Sequence, residues 1–157
     1  NVAYGGHAQS HLKNSKTDTK REGDKSWYIT ASKPDRPGGI TYLPMTFDPP
    51  LKENESLTSS LDPEMTEDNL VQCYLQKEPP RQLVNLKKVS IVIVSAEASY
   101  HSPYDHGTSN FLKQAGVNHE FIRLQDKNIR GNGHMMMLEK NNHEIADVLI
   151  DWAKSKI

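Results

Sequence analysis

The run Val89-Ser90-Ile91-Val92-Ile93-Val94 constrains the fold more than any other part of the chain. Its residues are β-branched and almost continuously apolar, the pattern of a strand covered on both faces in a parallel sheet. The residues that follow keep to that architecture. Ser102-Pro103-Tyr104-Asp105 has the form of a capping box with proline at the first helical position. Phe111, Leu112 and Ala115 give the ensuing helix an apolar face, and Gly116 stands where a helix-terminating glycine belongs. Val117 to Leu124 alternates, with Phe121 and Arg123 opposite Ile122 and Leu124, as a strand nearer a sheet edge does. Gln125 to Gly131 then reads as a loop leading to His134. Asn141 or Asn142 caps a last helix with Ile145, Val148, Leu149 and Trp152 on one face. Strands joined through helices predict an α/β fold with parallel strands and right-handed crossovers. In open parallel sheets the functional loops lie beyond the carboxyl ends of the strands, which is where this order puts His134.

The chain before Val89 reads differently. Residues 1–39 form a polar, loop-rich segment. Its stretch from Lys13 to Lys25 mixes both charge signs, and Trp27-Tyr28-Ile29 is its one apolar spot. Residues 40–88 form a proline-rich excursion. Pro44, Pro49 and Pro50 forbid a helix or a central strand over Ile40 to Pro50, so that stretch is expected to be extended. The spacing of Leu70, Val71, Tyr74 and Leu75 predicts a short helix near Glu67–Gln76, ended by Pro79-Pro80, and Arg81 to Lys88 suggests one helical turn. Only residues 89–157 carry the dense apolar pattern of a core. Hydrophobic residues make up 35% of the 157, and the mean hydropathy is −0.73, low for a self-contained globule of this size. Either the first half is largely loop or the chain is part of something larger.

Charge and cysteine usage exclude several classes. With 19 basic against 20 acidic residues the net charge is −1, which leaves no basic excess to hold a phosphate backbone, so no nucleic-acid partner is expected. Cys73 is the single cysteine, so neither an internal disulfide nor a cysteine-based zinc site can form. No apolar run approaches the length of a membrane span. Asn1-Val2-Ala3-Tyr4 has neither an initiator Met nor a signal pattern, the expectation for a processed or truncated product. Asn54-Glu55-Ser56 is a glycosylation sequon, compatible with secretion.

The chemistry concentrates in Gly131-Asn132-Gly133-His134-Met135-Met136-Met137-Leu138. Glycines on either side of a histidine let the backbone turn sharply and present the imidazole. Imidazole titrates near neutrality, so a histidine held this way is a candidate proton shuttle. The methionines suit the wall of an apolar pocket, with Met135 nearest the histidine. Tyr100 and His101 follow the buried strand and are expected at the same end, lining the pocket or packing on the next helix. Asp105 is expected to serve the helix start. His119 reads as a surface or packing residue and His143 as an exposed one. The chain has seven histidines, but His101 and His106 are separated by a helix start, and no metal or other cofactor is expected.

These residues resemble those of the α/β-hydrolase superfamily, where a catalytic histidine lies between the last strand and the C-terminal helix. Within it, Gly131 through Asn142 resembles the histidine loop of a group of secreted bacterial esterases and their fungal relatives. Glu97-Ala98-Ser99-Tyr100-His101, Tyr104-Asp105-His106, and the stretch from Ile40-Thr41 through Pro44 to Phe47-Asp48-Pro49-Pro50 are similar to the fungal members. The resemblance covers roughly residues 36–157. It implies a C-terminal portion of an α/β-hydrolase fold, a small ester as substrate, and His134 as the triad base that takes a proton from a serine and returns it to the leaving group. Ser99 falls near the place where many hydrolases carry an aspartate, and in the resembling group the acid is a glutamate after the preceding strand. Glu97 and Asp48 are the local candidates. Gly6-His7-Ala8-Gln9-Ser10 mimics a nucleophile elbow with Ala8 in the serine's place, but no buried strand precedes it and no apolar helix follows it. The nucleophile and the oxyanion-hole loop are therefore expected upstream of Asn1, on a missing segment or a separate chain, and an oligomer is a further option. Two other readings stay open: a non-catalytic binding protein of the same fold, and a hydrolase-fold lyase or cyclase.

Overall fold

The structure is a computed structural model that describes residues 46–52, 59–62, 70 and 73–157. The polar segment 1–39, the Gly6–Ser10 string, the Trp27–Ile29 spot and the Asn54 sequon lie outside the described residues. Among the described residues, four strands and two α-helices follow in the order β1 (Ser59–Leu61), β2 (Tyr74–Gln76), β3 (Val92–Ser95), α1 (Asp105–Gln114), β4 (Glu120–Arg123) and α2 (Asn142–Lys154). Short 3-10 turns occupy Leu86–Lys88, Leu124–Lys127 and Met136–Leu138.

β3 and β4 pair in parallel, Val92 opposite Glu120 and Ser95 opposite Arg123, with α1 as the crossover between them. This is the predicted strand–helix–strand unit. Side chains alternate across β3. Ile91 and Ile93 pack on the cluster of Phe47, Leu83, Phe111, Leu112, Ala115 and Val117, which includes the inner face of α1. Val94 packs instead with Ala96, Leu124, Ile129 and Ile145, where Val148 of α2 and Met136 also sit. The two helices therefore cover opposite faces of the parallel pair, in three layers.

The end of α1 follows from its sequence. Gly116 has φ +72°, its N–H donates to Lys113 O, and the Val117 N–H donates to Leu112 O. Those two bonds form a Schellman motif, and the contact it calls for is supplied by Leu112 and Val117, both buried in one cluster.

Several expectations are corrected. The strand predicted over Val89–Val94 is confined to Val92–Ser95, because pairing with Glu120–Arg123 sets its ends. It is not covered on both faces throughout: Val89 is exposed and Val92 to Val94 are half-buried, since β3 pairs only with β4 among the described residues. The helix predicted near Glu67–Gln76 does not extend to its stated end. Tyr74–Gln76 is a strand antiparallel to Ser59–Leu61, a long-range pairing that local apolar spacing does not report, and most of the rest of that stretch is outside the described residues. The extended Phe47–Pro50 segment is as expected, joined to Gln82 through a backbone bridge at Asp48. Gln114 fastens this region to α1: its amide nitrogen donates to Gln76 O at 2.8 Å and its carbonyl accepts from Gln76 N at 2.9 Å. No helix among the described residues is long and apolar enough to cross a membrane.

Candidate active site around His134

Two loops meet beyond the carboxyl ends of the parallel strands, one running from Ala96 to Tyr104 after β3 and the other carrying His134 after β4. They are tied together at the backbone, where Ala98 N–H donates to Asn132 O at 2.9 Å. The Glu97 carboxylate spans the same gap, accepting from the Gly131 N–H at 2.9 Å and from Arg130 Nη1 at 3.0 Å. On the far side Glu139 accepts from the Gly133 N–H and from Asn132 Nδ2, each at 2.6 Å. Asn132 is almost fully buried and exchanges two further amide bonds with Asn141. The histidine loop is thus clamped by two carboxylates and an asparagine pair.

That clamp explains the Gly-Asn-Gly string. Gly131 has φ +76°, a conformation that side chains disfavour. Gly133 is not in that region; a Cβ there would come within 3.3 Å of Glu139 Oε1, so its smallness serves close approach.

His134 itself is half-buried. Its Nδ1 lies 3.3 Å from Ser99 Oγ, and that oxygen also accepts from the His101 N–H at 3.1 Å. The His101 ring stacks on the His134 ring, with centroids 4.4 Å apart and planes 11° from parallel. Tyr100 tilts against His134 at 4.5 Å. Behind them Asp105 accepts from His101 Nδ1 at 3.2 Å and from Ser95 Oγ at 2.8 Å. Burial pushes the His134 imidazole below the usual histidine value, the adjacent His101 adds to that shift, and Asp105 opposes it.

The structure brings His134, Tyr100 and His101 into contact. Met135 is exposed next to His134, and Met136 is the methionine that packs inward. Glu97 is engaged by Arg130 and the Gly131 N–H, and Asp48 is exposed, with its backbone paired to Gln82. Ser102 does not cap α1, whose N-cap position is Tyr104 with no side-chain bond. Asp105 is drawn away from capping by Ser95 and His101. Asn141 stands at the start of α2 without capping it, because its amide is used on Asn132. His119 is a packing residue, bonded to Ser109 Oγ and Val117 O, and His143 is exposed. Reading the sequence missed Ser99 as a partner of His134 and Asp105 as a partner of His101. The i, i+4 spacing of His101 and Asp105 was the available signal for the second.

Among the described residues, no three His, Cys, Asp or Glu side chains gather as a metal site requires. A shallow cavity of about 260 Å³, lined by Lys87, Lys88, His119 and Lys156 among others, opens at the amino ends of β3 and β4, away from this chemistry.

The chain is 43% identical over 122 residues to a protein named "Probable secreted lipase phiG" from Fungal sp. (strain ATCC 74256). That match takes in 77% of this chain and 33% of the relative, so the chain spans about a third of the length of the relative it matches. The likeness is to a lipase-like hydrolase. No family model and no solved structure matches the chain.

Proposed function

We propose that this chain is the His-bearing, C-terminal part of a secreted α/β-hydrolase acting on small carboxylic esters, with His134 as the general base. The observation that carries the reading is the presentation of His134. It sits on a clamped glycine loop beyond the carboxyl end of β4, with Nδ1 against Ser99 Oγ. The likeness to a secreted lipase agrees with it.

A general base must be neutral, and the nitrogen aimed at the nucleophile must carry a lone pair. The mechanism requires the tautomer in which Nδ1–H donates to Ser99 Oγ and Nε2 is unprotonated. Nε2 then takes the serine proton as the acyl bond forms and returns it to the departing alcohol. Burial favours the neutral ring between turnovers. The serine and the oxyanion-hole donors come from chain outside residues 1–157, on the same polypeptide or on a partner. Glu97 and Glu139 serve this chemistry indirectly, by fixing the loop. Tyr100 and Met135, exposed beside the imidazole, offer an apolar rim to the ester.

Fluorophosphonate labelling of the full-length protein, followed by peptide mapping, tests the proposal. One serine outside residues 1–157 should be labelled, and His134→Ala should suppress the labelling. A full-length protein that takes no label, or one whose labelled serine lies within residues 1–157, would contradict it.

A further inference from the structure

We infer that His101, held by Asp105, is a positioning residue for His134: its imidazole is a flat platform that fixes the plane of the catalytic ring. The inference rests on the reading of His134 as the general base.

A base on a loop is effective only if its ring is held close to one orientation, because small misplacements of a reacting group are costly. Ser99 Oγ fixes one edge of the His134 ring but leaves rotation about that contact open. The His101 ring closes it, lying 11° from parallel at a centroid distance of 4.4 Å. His101 is itself well fixed. A carboxylate can only accept, so the proton on His101 Nδ1 points to Asp105 Oδ1 at 3.2 Å. The other oxygen of Asp105 is anchored by Ser95 at the end of β3, and Asp105 sits in the first turn of α1, where the helix dipole favours a carboxylate. Tyr104 is packed against His101 at 4.9 Å. With side chains only 10% and 16% exposed, His101 and Asp105 are part of the frame of the site rather than of its solvent-facing rim.

The stacking also couples the two rings. A proton on His101 opposes a proton on His134, so the platform helps keep the base neutral. The other titratable groups near His134 are Tyr100 in the same turn, Asp105 on α1 and, on its own loop, Glu139, whose carboxylate is taken up by Gly133 and Asn132. Only His101 among them makes a face-on contact with the imidazole.

The test compares His101→Ala, His101→Phe and wild type in the full-length enzyme. The readouts are p-nitrophenyl butyrate hydrolysis across pH and the NMR titration of the His134 Cε1–H signal. His101→Ala should lower kcat about tenfold or more with little change in KM. His101→Phe should recover part of that loss, because it restores a flat ring. Both variants should move the acid limb of kcat/KM, and the His134 titration, to higher pH. The inference is overturned if both profiles superimpose on wild type, or if the two variants lose activity equally with the acid limb unmoved. Retention of wild-type hydrolysis by His134→Ala would instead overturn the hydrolase reading, while the NMR comparison would still decide whether the rings are coupled.

Discussion

At the scale of single residues, the environment of His134 sets a pH dependence whose sign can be stated. Burial, with His101 assisting, holds the imidazole below its ordinary value of 6.5. The neutral base therefore persists into mildly acidic solution, and the acid limb of kcat/KM is expected below pH 6.5. A limb above that value would contradict the burial argument. The same shift enters stability: the fold prefers the neutral ring, so this contribution is complete above the unfolded-state value and declines as pH falls toward the folded one. Cys73 gives a second residue-level expectation. It is almost fully buried, its thiol lies 3.8 Å from Tyr104 O, and burial, with Asp62 adding, pushes its pKa up to about 12. Native protein at pH 8 should leave this thiol unreactive toward Ellman's reagent, with reaction appearing on denaturation. Rapid reaction without unfolding would show that the packing around β2 and α1 is looser than described.

At the scale of elements, two devices hold the site in place, and each has a measurable cost of removal. Gly116→Ala puts a side chain at φ +72° and against Gln82, so it should lower stability by about 1–2 kcal/mol in chemical denaturation. Asn132→Ala removes the centre of the histidine-loop clamp and strands the groups it bonds. It should cost about 1–3 kcal/mol and reduce turnover as His134 loosens. An Asn132→Ala protein with unchanged midpoint and unchanged turnover would show that the clamp is dispensable. The order of strands and helices from Val92 onward was legible in the sequence because each element has a clean period and Gly116 marks a true helix end. The stretch ending at Gln76 was not legible. Leu70, Val71, Tyr74 and Leu75 fit a helix by spacing, and only the pairing with Ser59–Leu61 makes Tyr74–Gln76 a strand. Within the site, the histidine and its two aromatic neighbours could be read locally. The contacts of Ser99 with His134 and of Asn132 with Glu139 and Asn141 depend on two loops folding against each other. Asp105 was assigned to a cap because local logic cannot see Ser95 and His101 competing for it.

At the scale of the whole molecule, the described core is the parallel pair β3–β4 with a helix on each face. Val89, Leu149 and Ile150 are exposed, and β3 has a strand on one side only among the described residues. The relative with which the chain shares 43% identity is about three times longer than the matched part. In the proposed hydrolase the remaining chain extends the sheet and supplies the nucleophile, so residues 1–157 expressed alone should hydrolyse no ester above background. Hydrolysis by that fragment alone would show that its nucleophile lies within it. The most direct test of the central claim is the hydrolysis of p-nitrophenyl butyrate by the full-length protein and by its His134→Ala variant, with circular dichroism to verify the fold. For the variant, kcat/KM should fall by about three orders of magnitude or more while the spectrum is unchanged. A folded variant that hydrolyses the ester at the wild-type rate would contradict it.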